Sequence, residues 1–105
     1  NTVVAIVTEF GRTAAVNGTR GTDHGTATAA ILVGGAVNGG RVIADWPGLR
    51  SSDLYHGRDL MPTTDLRSVF KGILSEHLAL PDNLVENSVF PSSKGAPAVR
   101  DITRS

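Results

Sequence analysis

Two short polar motifs near the start of the chain carry side chains that could take part in chemistry. The first motif, TEFGRT, contains Glu9 and Arg12, and the second, GTDHGT, contains Asp23 and His24. Carboxylates and imidazoles are ligands for divalent metals such as Zn, Mn and Mg. A guanidinium presents a planar fork of donors that suits an anionic group. These residue types predict a site for a divalent metal and an anionic substrate.

Each motif borders an apolar run that predicts a β-strand. Residues 2–8 precede the first motif, residues 27–33 follow the second, and a polar, Gly-rich loop over residues 9–25 joins them. The first run is almost continuously Val, Ile and Ala, which is typical of a central strand buried on both faces. Because the loop is short for a parallel crossover, we expect the strands to be adjacent and antiparallel. Glu9 and His24 would then lie at the same end of the sheet.

A simpler interpretation is open for each candidate residue. Asp23 could orient a turn, and His24 could hydrogen-bond a neighbouring carbonyl group. Glu9 comes just after a strand expected to be buried, where a carboxylate needs a partner. That partner could be Arg12 or Arg20 in a salt bridge, so that Arg12 would only neutralise Glu9. The residues alone leave these alternatives open beside the metal and anion site.

The rest of the chain predicts one further strand, one helix and a tail. Residues 41–44 are typical of a short strand, and residues 65–78 carry apolar side chains at helical spacing. Thr64 is the expected N-cap of this amphipathic helix, which we expect to pack across the strands. Ser, Gly, Pro and Lys dominate from Pro91 onward, so residues 92–105 are expected to form a flexible tail. The pattern indicates an α/β domain with about three strands and one main helix.

Composition excludes several classes of protein. The ten Lys and Arg residues balance ten Asp and Glu residues, and the arginines are scattered along the sequence. Nucleic acid is not expected as a partner, because phosphate-tracking surfaces need clustered positive charge. The chain has no cysteine, which excludes disulfides and thiol catalysis. Its apolar runs, such as residues 29–33, are far too short to cross a bilayer, so no membrane span is expected.

Together, the motifs resemble those of a known family. TEFGRT, GTDHGT, the DWPGL stretch and the PTTD stretch occur in an order and spacing similar to those of the DUF1501 family, and the resemblance covers residues 2–91. That family is similar to the alkaline phosphatase and sulfatase superfamily, in which a doubly wound α/β sheet holds a two-metal site at its strand ends. The resemblance implies that residues 1–91 are the C-terminal part of an alkaline phosphatase-like domain. It also implies an exported bacterial parent, periplasmic or extracellular, often with a twin-arginine signal.

The resemblance also implies roles for particular residues. In the superfamily, an Asp-His pair at one strand end and a later His are metal ligands. Glu9 and Phe10 fall at the position of that pair, and His24 falls at the position of the later His. The implied ligands of a divalent metal (Zn, Mn, Mg or Ca) are Glu9, Asp23 and His24, and Arg12 is the implied catalytic residue that faces the anionic group. Glu in place of Asp, and Phe10, which cannot ligate a metal, depart from the pattern of the superfamily.

Two functions compete at this point. The leading hypothesis is that the chain is the C-terminal portion of a metal-dependent hydrolase whose substrate is a small anionic ester of phosphate or sulfate. The alternative is a non-catalytic binding or assembly module that keeps the scaffold. Under either hypothesis we expect the chain on its own to be inactive, because the nucleophile and the remaining ligands would lie upstream. We also expect the isolated chain to form a homodimer, because an apolar strand with an uncovered edge is a template for pairing.

Overall fold

The computed structural model describes residues 1–104. Its regular structure consists of four short strands in two separate sheets, two α-helices, a 3-10 turn (Ser51–Asp53) and a π-helical turn (Val85–Val89). The chain has the expected mixed α/β composition, but it has four strands where about three were predicted. It divides into two compact units. Unit 1 comprises residues 1–5, residues 31–42 and the chain from Thr64 onward, and unit 2 comprises residues 6–30 and 43–63.

The first sheet pairs β1 (Val4–Ile6) with β4 (Ile31–Val33), which lie within the two strands predicted from the apolar runs. The carbonyl of Thr2, before β1, accepts a hydrogen bond from the N–H of Ala36, after β4, at 3.1 Å. The start of β1 therefore lies beside the end of β4, as in an antiparallel pair. In both strands only the middle residue is half-buried and the outer two are exposed. The prediction of a strand buried on both faces was therefore wrong.

The second sheet pairs β2 (Gly11–Arg12) with β3 (His24–Gly25) in antiparallel register. Both strands lie within residues 9–25, where the sequence predicted only a loop. A pair of two-residue polar strands has no apolar period, so the hydrophobic pattern could not reveal it. Residues 41–44 show the opposite error, because they were predicted as a strand and form none.

The main helix, α1, spans Leu66–Glu76, close to the predicted residues 65–78. Its N-cap is Asp65 and not Thr64, because the Asp65 carboxylate accepts the N–H of Arg67 at 2.9 Å. The Arg67 guanidinium also donates to this carboxylate, at 2.7 Å. A helical turn, α2 (Asp82–Leu84), follows and continues as a π-helical turn. No helix within residues 1–104 has the length and apolar character that crossing a membrane requires.

The buried stripe of α1 is polar and small, and it is not the apolar face that the sequence predicted. Ser68, Lys71 and Gly72 are buried. Of the predicted apolar face, Leu66 is exposed, and Val69, Phe70, Ile73 and Leu74 are half-buried. A Cβ atom at Gly72 would lie 2.2 Å from the carbonyl oxygen of Val99, so the absence of a side chain permits this close approach. The buried stripe therefore faces the C-terminal segment, defined here as residues 93–104. The prediction that the helix buries its apolar face across the strands was wrong, because the small stripe allows closer contact.

Two charged side chains of α1 hold the C-terminal segment. The Lys71 ammonium, 1% exposed, donates to the carbonyls of Ser93 and Ala96, both at 2.7 Å. It also donates to the Glu86 carboxylate at 3.0 Å. The Glu76 carboxylate accepts N–H groups from three consecutive residues further along the segment. A flexible tail was expected from the Ser, Gly and Pro content, but its backbone groups find partners on α1.

The apolar residues that are fully buried within residues 1–104 all lie in unit 1: Ala36, Val37, Val85, Ala96 and Ile102. In unit 2 the buried side chains are polar, namely Thr13 at 4% exposure and Asp59 at 2%. Unit 1 therefore has a small apolar core beside the Lys71 cluster. Unit 2 is held mainly by hydrogen bonds.

Replacement of Lys71 by Met tests whether the buried ammonium holds unit 1 together. Methionine keeps most of the volume but removes all three donors, leaving two carbonyls and a half-buried carboxylate without their partner. We expect a loss of about 2–3 kcal/mol in the free energy of unfolding, measured by urea titration. Lys94→Met removes an exposed lysine and should change stability by less than about 0.5 kcal/mol. Equal effects of the two changes would show that the Lys71 contacts contribute nothing.

The N-cap of α1 gives a pH-dependent prediction. Donation by the Arg67 side chain and by its backbone N–H lowers the pKa of Asp65 from 3.8 to about 2. The stabilisation by the charged cap is therefore complete above about pH 4 and is lost as the pH falls through about 2. At pH 7, Asp65→Ala should cost about 1 kcal/mol in urea unfolding. That difference between the two proteins should shrink between pH 4 and pH 2, and a constant difference would contradict the assignment of the cap.

Candidate functional site

Arg12 and His24 stand directly opposite each other on the β2–β3 hairpin of unit 2. The register pairs Gly11 with Gly25 and Arg12 with His24. Side chains at directly opposite positions of an antiparallel pair project from the same face, with Cβ atoms roughly 5 Å apart. Both residues are exposed. The hairpin therefore presents a guanidinium and an imidazole together on one solvent-facing side.

An open depression lies at this face, lined by Arg12, Thr22, Asp23 and His24. The Nε atom of Arg12 donates to the hydroxyl of Thr22 at 3.0 Å, and its Nη2 donates to the carbonyl of Thr22. These two bonds fix the plane of the guanidinium. Within residues 1–104 its remaining terminal nitrogen, Nη1, makes no hydrogen bond. One edge of the Arg12 guanidinium is thus held by Thr22, and the other edge offers free donors.

Asp23 is held by the turn that precedes it. Its Oδ1 accepts from the side-chain amide of Asn17 at 3.0 Å. The side-chain oxygen of Asn17, Oδ1, in turn accepts the backbone N–H groups of Thr19 and Gly21, both at 3.0 Å. The backbone of Asp23 also bonds to Thr13: its carbonyl accepts the Thr13 N–H at 3.0 Å, and its N–H donates to the Thr13 hydroxyl at 3.1 Å. The turn-orienting role considered for Asp23 is therefore present, and it fixes the carboxylate at the edge of the depression.

Asp59 anchors the other side of the hairpin and was not identified as a site residue from the sequence. Its Oδ2 accepts the hydroxyl of Thr26 at 2.9 Å, and its backbone forms bridges with Thr13 and Tyr55. Thr13 directly follows Arg12, so the Asp59 contacts fix both strands just beyond the paired side chains. A polar residue between charged and apolar neighbours carries no signal of burial in the sequence. Only the structure shows that this carboxylate is 2% exposed.

The structure brings three of the four predicted site residues together and leaves Glu9 apart. Glu9 is exposed and does not line the depression. Within residues 1–104 it makes no salt bridge with Arg12 or Arg20, so that simpler interpretation is not observed. Phe10 beside it is 64% exposed. Glu9 therefore remains a predicted ligand without a contact to the other candidates.

The donor chemistry of the depression fits a divalent metal in part. A carboxylate from Asp23 and an imidazole from His24 are adjacent in sequence and border the same opening. A metal site usually needs three or more protein ligands. Among residues 1–104, no group of three or more His, Asp or Glu side chains is placed to hold one ion. Asp23 and His24 thus fit two positions of a metal site, and Arg12 fits an adjacent anion.

Comparison with known proteins agrees with the motifs. The family model described as a protein of unknown function (DUF1501) matches residues 1–89. The chain therefore belongs to the DUF1501 family. No curated protein matches the chain, and no solved structure does.

The close pairing of the hairpin can be tested at its glycines. A Cβ atom at Gly25 would lie 2.6 Å from the carbonyl carbon of Arg12 and 2.7 Å from the backbone nitrogen of Thr13. Gly25→Ala should therefore separate the strands and cost about 2 kcal/mol in urea unfolding, with a shift of the His24 ring signals in NMR spectra. Gly18→Ala is the matched control, because nothing lies within 4 Å of its Cβ position. Unchanged His24 signals in Gly25→Ala would mean that the hairpin does not position the imidazole.

Proposed function

We propose that this chain is the C-terminal portion of an exported, metal-dependent hydrolase that acts on phosphate or sulfate esters. The observation that carries the proposal is the pairing of Arg12 with His24 on one exposed face, beside Asp23. This combination offers a cationic fork for an oxyanion and two metal donors within one opening. A metal-dependent hydrolase of phosphate or sulfate esters needs both functions at one place.

Arg12 is proposed as the residue that binds the anionic group of the ester. Its Nε and Nη2 are occupied by Thr22, so the free Nη1 donors would contact a non-bridging oxygen of the substrate. A guanidinium whose plane is already fixed loses little entropy when the anion binds.

Asp23 and His24 are proposed as two ligands of a divalent ion, with Glu9 as a further ligand or a support for one. The Asn17 amide keeps one Asp23 oxygen in place, which leaves the other to face an ion. A divalent ion bound there would polarise the ester and activate the attacking nucleophile. The other ligands and the nucleophile would come from upstream residues of the parent protein.

The proposal also covers the superfamily and the cellular location of the parent protein. Membership of the DUF1501 family, with the motif order TEFGRT then GTDHGT, supports a place in the alkaline phosphatase and sulfatase superfamily. Under that assignment, residues 1–91 would complete a doubly wound sheet in the parent. The parent would be exported to the periplasm or beyond the cell, with a twin-arginine signal. The chain on its own would be inactive.

A specific observation favours the alternative of a non-catalytic binding or assembly module. Asp23 already has a structural partner in Asn17, and Phe10 stands where a metal-binding histidine would be expected from the family resemblance. A scaffold that had lost its chemistry would keep the hairpin and its anion-binding arginine. In that case the same depression would bind an anionic ligand without cleaving it.

The test uses the full-length parent with p-nitrophenyl phosphate and p-nitrophenyl sulfate as probes, together with elemental analysis of bound metal. His24→Ala should lower the metal content and reduce hydrolysis by at least about a hundredfold, because a catalytic metal contributes several kcal/mol. His56→Asn is the matched control, since Asn tolerates the positive φ of 54° at that exposed position. A parent with no bound metal and no hydrolysis of either ester would favour the binding module.

A further inference from the structure

Residues 41–45, with the sequence Arg41-Val42-Ile43-Ala44-Asp45, form no secondary structure and lack a partner strand in the part of the chain that the structure describes. The backbone runs from Arg41 to Gly48 without a turn or bend. Within residues 1–104, no backbone hydrogen bond involves residues 42–49. Val42 is 90% exposed and Ile43 is 54% exposed. The chain thus presents a β-branched stretch whose N–H and C=O groups are free to pair, and such a stretch favours addition to another strand.

The sequence of this segment is complementary to itself when two copies run antiparallel. With Ile43 opposite Ile43 of the second copy, Arg41 lies opposite Asp45, and Val42 lies opposite Ala44. The two-fold axis passes through the Ile43 pair and generates the Arg41–Asp45 and Val42–Ala44 contacts twice each. On one face this gives two opposite-charge pairs that flank an aliphatic pair, which are favourable cross-strand neighbours. The other face carries only the aliphatic Val42 and Ala44 pairs.

We propose that residues 41–45 are a self-recognition strand, which pairs antiparallel with the same residues of a second copy of this chain. Arg41 is available for the pairing, because only its Nε is engaged, with the carbonyl of Asn38 at 3.0 Å. Both terminal nitrogens remain for Asp45 of the second copy. Asp45 is exposed and makes no salt bridge within residues 1–104. Each copy therefore brings one free cation and one free anion to the correct positions.

The charges also fix the register of the pair. A slip of one step, with Val42 or Ala44 at the axis, leaves both Arg41 and Asp45 without a charged partner. A slip of two steps places two arginines or two aspartates opposite each other, which is unfavourable. The exposed edge of β1 offers no such control, because Val4–Ile6 contains no charged residue. The second copy is thus expected at residues 41–45 and not at β1.

The expected association is specific but modest in strength. Five residues from each copy form a small contact, well below the area of a standard protein interface. Trp46 and Leu49, which are 64% and 57% exposed, follow the segment and extend its apolar surface. We expect weak association, because an isolated pair of short strands is only marginally stable in water, and still weaker binding at high salt because the charge pairs are solvent-exposed.

Charge exchange in the 105-residue chain tests the proposal. Sedimentation equilibrium across about 10–1,000 μM should show a monomer–dimer equilibrium for the native sequence. Arg41→Asp and Asp45→Arg should each weaken the dimer by about tenfold or more, because each change replaces two attractive pairs with two repulsive ones. The double variant Arg41→Asp/Asp45→Arg exchanges the charges and should restore the native dissociation constant. Lys94→Asp, an exposed change of equal charge outside the segment, should leave it unaltered.

Three outcomes would overturn the proposal. The first is a monomer at every concentration. The second is a dimer that the single charge reversals leave unchanged, which would place the contact elsewhere. The third is a double variant that stays as weak as the single variants. Circular dichroism spectra of all variants should match the native spectrum, because the segment is exposed and unpaired in the monomer.

Discussion

The ammonium group of Lys71 is the interaction on which unit 1 depends. A buried cation is tolerated only where its donors are fully used, and this one donates to a carboxylate and to two carbonyls. Its acceptors, on Glu86, Ser93 and Ala96, come from two separate parts of the chain. One side chain therefore holds the π-helical turn and the C-terminal segment against α1. The small apolar core is assembled around this cluster.

In unit 2 the buried charged group is the carboxylate of Asp59. Its Oδ2 accepts the hydroxyl of Thr26, and its backbone bridges to Thr13, which follows Arg12. Among residues 1–104 its Oδ1 makes no hydrogen bond and lies 3.5 Å from the Nε atom of Arg58, so this carboxylate is less completely satisfied than Lys71. These contacts fix the strands of the hairpin next to Arg12 and His24. The placement of Arg12 and His24 thus depends on a buried residue that does not line the depression.

The sequence predicted the elements that have an apolar pattern and missed those that are held by polar contacts. Apolar runs and helical periodicity located β1, β4 and α1, and the motif order indicated the family. Hydrophobic patterns do not register polar contacts, so the β2–β3 hairpin, the burial of Lys71 and Asp59, and the packing of the C-terminal segment were missed. At the candidate site, the strand-end layout predicted that Glu9, Arg12, Asp23 and His24 would lie together. Arg12, Asp23 and His24 line one depression, and Glu9 does not line it.

The attachment of the C-terminal segment has a consequence for how its sequence can vary. Lys71 and Glu76 contact only carbonyl and amide groups of the segment, and Gly72 approaches only the backbone at Val99 apart from the buried Ile102 side chain. Backbone groups are the same whichever residue carries them. The exposed positions of the segment, such as Lys94, Arg100 and Arg104, can therefore vary among homologues without detaching it, whereas the buried Ala96 and Ile102 cannot vary freely. The contacting residues of α1 are constrained because their side chains make these bonds. Substitutions should therefore be tolerated less well on this face of α1 than at the exposed positions of the C-terminal segment.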